Sequence, residues 1–460
     1  MHRRRFLQAG GGVVAVTVLG SPASGAQSGD DATSLAPLGS VEVSGATDCT
    51  VQEEFAYIAA DDGVAVVDIS QPESPTVVAE RRDIETGTGA PFQDVLDCWV
   101  WEDRLVVGGP GNFNPNSAHG FALYDITDPT EPEQLAFYET GQPMDGGFYI
   151  HNLYIDEGIV YLTGSAAPAN PLVMVDVTGA EPEEVGRWSL NDYDEGYADV
   201  QRASRSLHDV TVQDGIAYIP CWDAGTWIVD VSDPQNPAVL ASIGEYDLAD
   251  LRPFSQPQAI RESLSPPGNA HYTMINDDGS LLAVGEEGWD FNGSGGPGGI
   301  DLYDVEDPAD PQHLARIDPP PGEDQTRSGR FTSAHNFDFA GDQFYSSWYY
   351  GGVKIHDISE PSNPEEIGHW RNSEQTSFWT AEAATDGFVA TSADVSKILR
   401  ENPPAVREAL YVFPDSPEAI TGQPKVATED SDGSGPGFGI PAAVGGALGG
   451  YWLQRYREKD

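Results

Sequence analysis

Four of the nine histidines in this chain stand where coordinating chemistry is plausible. His151, His208, His271 and His335 each open a short strand-like run, reading His151-Asn-Leu, His208-Asp-Val, His271-Tyr-Thr and His335-Asn-Phe, and each is entered from a loop rich in Gly, Ser or Arg. Aligned on the hairpins, the same position falls at Thr47, Asp97 and either Thr380 or Trp379 elsewhere in the chain. Three or four neutral imidazoles brought together make a site for a transition metal (Cu, Zn, Fe, Mn or Ni), with Asp97 or Asp209 as an added carboxylate ligand or as a partner that orients a ligating ring. The competing expectation is that duplication copied these histidines and that each simply hydrogen-bonds a neighbouring loop.

A second set of residues is expected to border the same place. Cys221-Trp222-Asp223, Glu286-Glu287-Gly288-Trp289 and Trp348-Tyr349-Tyr350 sit in hairpins, and Arg205, Arg327 and Arg330 lie on long entry loops. A rim of Trp222, Asp223, Trp289, Trp348, Arg205 and Arg330 suits a small or anionic ligand; packing between sheets and pairing with surplus acid is the alternative. Other chemistries lack their signatures: there is no Gly-x-Ser-x-Gly elbow, no phosphate-cradling glycine loop and no His-Glu-x-x-His. The cysteines, Cys49, Cys98 and Cys221, are too few for a disulfide framework and read as buried thiols, with one Cys49–Cys98 bridge as the alternative.

What must position these side chains is a repeat. Val64-Ala-Val-Val-Asp68-Ile-Ser-Gln-Pro72 recurs with variation around Asp125, Asp176, Asp230, Asp304 and Asp357. The intervals run from 51 residues (Asp125 to Asp176) to 74 (Asp230 to Asp304), enough for four strands and their turns. The pattern, an apolar strand followed by Asp-Ile/Val-Ser/Thr-Asp-Pro-x-x-Pro, resembles the LVIVD-repeat family over roughly Cys49 to Pro417. That resemblance implies an all-β fold, a seven-bladed β-propeller of four-stranded antiparallel blades, and names no reaction. The seventh copy, Phe378 to Phe413, lacks the shared Asp and an outer strand. The segment Leu38 to Val43 is expected to supply that strand, closing the last blade from the N-terminus and hiding both sheet edges. In a propeller the innermost strands line the central channel, so the four histidines would converge near one mouth.

Composition sets the outer limits. Asp+Glu number 74 against 23 Lys+Arg, a formal charge of -51, and only Lys354, Lys397, Lys425 and Lys459 are lysines. Such a surface repels itself in dilute buffer and is relieved when molar salt shortens the Debye length to about 3 Å. The reading is a halophilic protein that is a monomer and has no nucleic-acid partner.

Both ends carry address-like patterns. Residues 1–26 contain Arg3-Arg4-Arg5-Phe6-Leu7, an apolar run and Ser24-Gly25-Ala26, which resembles a twin-arginine signal and implies export by the twin-arginine translocase. After a linker (27–36) and the propeller (37–417), an acidic Gly/Ser spacer (418–435) leads to Pro436-Gly437-Phe438, an apolar stretch and a basic end. That tail (436–460) resembles the PGF sorting signal of halophilic archaea, whose removal by an archaeosortase implies anchoring at the outer face of the cell membrane. Two functions follow as expectations: a surface platform that binds a small ligand, glycan or surface protein, or a metal-dependent extracellular oxidase or hydrolase.

Overall fold

Each repeat folds as a sheet because its middle strands are continuous runs of β-branched and aromatic residues that are buried on both faces, as in Phe55–Ala60 and Gly63–Asp68. The shared Asp ends the third strand by an Asx turn. Its Oδ1 accepts the amide two residues on, at Asp68–Ser70 (2.9 Å), Asp125–Thr127 (2.9 Å), Asp176–Thr178 (2.7 Å), Asp230–Ser232 (3.0 Å), Asp304–Glu306 (3.0 Å) and Asp357–Ser359 (2.9 Å). Donation from the Thr127 amide holds Asp125 below the usual carboxylate range, and the hydroxyls of Ser232 and Ser359 do the same for Asp230 and Asp357.

The computed structural model describes residues 35–399 and 402–417. These form seven four-stranded antiparallel sheets, the blades of a propeller. Blades 1 to 7 have as innermost strands Ala46–Gln52, Asp97–Trp101, Tyr149–Asp156, Thr211–Gln213, Ala270–Ile275, Phe337–Ala340 and Phe378–Ala384. Blade 7 takes its outermost strand from Gly39–Glu42, which pairs with Ala409–Pro414 through Gly39–Val412 and Val41–Leu410. The ring is thus closed by the start of the chain, as the sequence leads one to expect. The twin-arginine-like segment, the spacer and the Pro436-Gly437-Phe438 tail lie outside the described residues.

Blades are joined by apolar packing across each seam. Tyr57, Val64 and Val66 of blade 1 meet Leu105, Val107 and Ala122 of blade 2, and Cys49, Ile58 and Val67 meet Val389, Leu410 and Val412 at the closing seam. Each such fully buried aliphatic or aromatic side chain contributes about 1.5–3 kcal/mol. The approach is close enough that a Cβ built on Gly108 would lie 2.3 Å from Leu153 Cδ2. All three cysteines are free and buried, and burial pushes the Cys49, Cys98 and Cys221 thiols above their ordinary range.

Candidate functional site

The register of the inner hairpins decides what faces the channel mouth. Inner strands end at Gln52, Trp101, Asp156, Gln213, Ala340 and Ala384, paired with the first residue of the return strand. Counted back equally from those ends, the equivalent residues are Thr47, Leu96, His151, His208, His335 and Trp379; His271 joins them in blade 5, where Asn276 bonds to Leu281 across a longer turn. Register irregularities fall at this level in four blades, between Ala46 and Cys49, Ile150 and Leu153, Ala270 and Tyr272, and Phe378 and Thr380. Such bulges re-aim side chains.

Four imidazoles and an indole therefore stand side by side. Ring centroids are 4.4 Å apart for His151–His208, 3.9 Å for His208–His271, 4.8 Å for His271–His335 and 4.1 Å for His335–Trp379. Three of the rings are fixed by backbone. His151 Nδ1 donates to Gly111 O (2.5 Å), His208 Nδ1 to His271 O (3.0 Å) and His335 Nδ1 to Trp379 O (2.7 Å). A carbonyl can only accept, so Nδ1 carries the hydrogen in each ring and Nε2 keeps its lone pair. Burial holds all three below the ordinary histidine range, His335 at about 3, so they are neutral near pH 7.

The carboxylate that meets this row is Glu287, which comes from the second hairpin of blade 5. Its Oε2 lies 3.2 Å from His271 Nε2, and its Oε1 accepts a hydrogen bond from the Tyr349 hydroxyl. Burial alone would raise this carboxyl, yet the nearby His271, together with His335 and the tyrosine donor, brings it down to about 2. His271, Glu287 and His335 each offer a ligand atom, all within 4.8 Å of one another. His271 Nδ1 is buried without a hydrogen-bond partner.

Trp222 and Tyr349 frame the row by one shared device. Both sit in the left-handed backbone region (φ 49° and 47°), and both bridge to the next blade, at Ala270 and Phe378. Bulky residues are rarely held there, at a cost of about 1–3 kcal/mol each. The conformation sets Trp222 at 4.9 Å from His208 and Tyr349 at 4.8 Å from His335, ring to ring. In front of the row lies a cavity of about 450 Å3, also lined by Trp289, Leu264, Arg202 and Arg327.

Several residues expected at this site are elsewhere. Asp97 is one residue past the register, where Leu96 stands, and its Oδ2 accepts the Leu153 amide (2.6 Å) in a deeper layer. Trp348 is wholly buried in the core between blades, with Nε1 donating to Ser346 Oγ (2.9 Å); the neighbouring Tyr349 takes the place at the cavity. Asp223 lines a different cavity, of about 540 Å3, with Gly268 and Arg316. Arg205 is buried and spans its own loop, donating from Nε to Val200 O (3.1 Å). Arg330 is exposed and donates to Ser373 O (2.8 Å). Of the expected rim, Trp222 and Trp289 line the cavity.

Comparison with known proteins agrees on architecture. The chain carries the LVIVD repeat at residues 44–81, 204–244 and 350–371, which fall in blades 1, 4 and 6. It is similar to the β-propeller domain of Cps50 (Swd1) from Myceliophteria thermophila, at 10% identity and a TM-score of 0.53, over 83% of this chain and 99% of that one. It also aligns with the WD40 β-propeller domain of Doa1, at 12% identity and a TM-score of 0.46, over 83% of this chain and 97% of that one. At 10% identity the likeness to the Cps50 (Swd1) domain is one of fold alone. No curated protein matches the sequence.

Proposed function

We propose that this propeller binds a small ligand at its channel mouth, at a transition metal held by His271, His335 and Glu287 with His208 adjoining. One observation carries the reading: His335 and the adjoining His208, neutral and with their Nδ1 hydrogens committed to backbone carbonyls, stand in one row with His271 and a buried, ionised carboxylate. That is how ligating histidines are usually oriented. Spacing supports it too. Two ligands about 2.0–2.1 Å from a tetrahedral ion are about 3.3 Å apart, and His271 Nε2 and Glu287 Oε2 are separated by 3.2 Å. Two histidines and a carboxylate suit Zn, Fe, Mn or Cu. The twin-arginine-like and PGF-like ends favour an exported protein held at the cell surface, processed by the translocase and an archaeosortase, and propellers are general binding platforms, so a glycan or surface protein is a further class of partner.

A second reading is metal-dependent oxidation or hydrolysis. It is favoured by the presence of His271, His335 and Glu287 together in the lining of one cavity, since catalytic metal sites keep a position for water or substrate.

The test is elemental analysis of the full chain purified in molar salt, alongside His271→Ala combined with His335→Ala. About one equivalent of a transition metal, lost in the double variant, is expected. A folded wild-type protein that takes up no Cu, Zn, Fe or Mn on addition returns the histidines to a structural role.

A further inference from the structure

The charged residues that line the histidine cavity differ in balance from those of the chain as a whole. The sequence has 74 Asp+Glu against 23 Lys+Arg, yet among the described residues lining this cavity Glu287 is the sole carboxylate, while Arg202 and Arg327 are both present. Glu287 is already engaged by His271 and the Tyr349 hydroxyl. The Arg327 guanidinium lies 4.6 Å from the Trp289 ring centroid. Arg202, on the entry loop to blade 4, is exposed and makes a long 3.5 Å contact with Ala167 O.

The other side of the mouth has the reverse character. There a smaller cavity of about 300 Å3 shares Asn112 and Ile398 with the first and is lined by Asp61, Asp94, Asp394 and Glu408, with Lys397 as its cation. The mouth is therefore divided into an acidic part next to blades 7, 1 and 2 and a cationic part over blades 3 to 6. With long-range repulsion from a chain of charge -51 screened in molar salt, an anion is held or rejected by the groups it meets at short range. Binding one here requires the arginines.

We propose that the ligand is a small organic anion, a carboxylate carried on an apolar or aromatic body, with its charged end toward Arg327 and its body against Trp222 and Trp289. Guanidinium pairs well with carboxylate, and an arginine stacked on an indole is held in one orientation before the ligand arrives. The aromatic walls supply apolar area, and about 450 Å3 accommodates a ligand of that size. This inference rests on reading the cavity as a ligand site, but it does not require the metal.

The test uses benzoate as probe and benzamide as its neutral counterpart. Both are titrated into the full chain at fixed ionic strength and followed by tryptophan fluorescence, once as purified and once after chelation. Benzoate is expected to bind at least about tenfold more tightly than benzamide, and Arg327→Gln to abolish that preference while leaving metal content unchanged. Arg327→Lys, which keeps the charge but not the planar fork, is expected to restore part of the preference and serves if the glutamine variant is unstable. Equal affinity for benzoate and benzamide, no binding of either, or an unaltered preference in Arg327→Gln overturns the proposal. Benzoate bound through Arg327 in protein that takes up no metal would remove the metal reading alone; metal bound without any benzoate preference would remove only this one.

Discussion

Asp223 offers a stability test whose size follows from its surroundings. The side chain is fully buried and neither carboxylate oxygen has a hydrogen-bond partner. Burial pushes the carboxyl up from 3.8 to about 7, and the approach of the Ser204 hydroxyl and the Asn269 amide offsets this only in part. The folded value lies above the unfolded one, so the unfolded chain releases its proton first as pH rises. Stability is unaffected below about pH 3.8, declines up to about pH 7 and stays low above it. At about 1.36 kcal/mol per pH unit, the difference between 3.8 and about 7 amounts to about 4 kcal/mol.

Asparagine has nearly the same shape and cannot ionise. Asp223→Asn should therefore match the wild type near pH 4 and be more stable at pH 8.5 by up to about 4 kcal/mol, or about 5 °C in unfolding midpoint for a domain of this size. Thermal unfolding at the two pH values in constant molar salt measures it. Metal content should not change, because Trp222 remains bridged to Ala270 through the backbone. A variant shifted equally at both pH values, or destabilised at pH 8.5, would refute the assignment of a buried carboxylate without a hydrogen-bond partner.

Closure of the ring predicts that Leu35→Ala, which removes a side chain 2% exposed and packed with Val353, Phe388 and Phe413, costs about 2–5 kcal/mol in unfolding free energy. Deleting residues 35–43 should bare the Ala409–Pro414 edge and cause aggregation on light scattering; an unchanged melting curve would disprove closure. Glu287→Gln should weaken metal retention at least about tenfold in a chelator competition, and Tyr349→Phe by a smaller factor, since it removes only the donor that orients the carboxylate. Cys49, Cys98 and Cys221, buried and with raised pKa values, should resist alkylation in the native protein and react together on unfolding, as mass spectrometry would register.

The fold was legible because its signal is periodic. An Asp side-chain oxygen closes the same Asx turn at Asp68, Asp125, Asp176, Asp230, Asp304 and Asp357, once in each of blades 1 to 6. The site was legible only as far as that period reaches. His151, His208, His271 and His335 share a spacing from their hairpins, whereas the alignment that set Asp97 beside them is off by one residue; the hairpin at Glu102-Asp103 places Leu96 there instead. Between Trp348 and Tyr349 the outcome turns on one residue's backbone, and no periodic signal announces a left-handed tyrosine. Arg205 and Arg330 lie on loops with no repeat, so their partners, Val200 and Ser373, depend on local loop geometry. Glu287 was in view within its hairpin, but its role depends on Tyr349 and His271 from elements far apart in the chain.

Seven equivalent slots at a channel mouth do not by themselves make a site, because an identical residue in every slot would place like groups around a ring too wide for one ligand to join. Function requires that the symmetry be broken. Here it is broken in sequence order: Thr47 and Leu96, then four histidines, then Trp379. One residue further along each strand lies a second layer in which Asn152 Nδ2 donates to Asp209 (2.7 Å) and Asn336 Nδ2 to Asp48 (2.8 Å). Burial raises the Asp97 and Asp209 carboxyls, and the negative neighbours raise them further. A cation bound in the histidine layer would ease ionisation of the acids behind it, and by reciprocity their ionisation would strengthen its hold. On that proposal the acids would favour a metal without touching it. Arg202 and Arg327 line the same cavity as the histidines, so this coupling and the proposed anion site would act on opposite charges in one place.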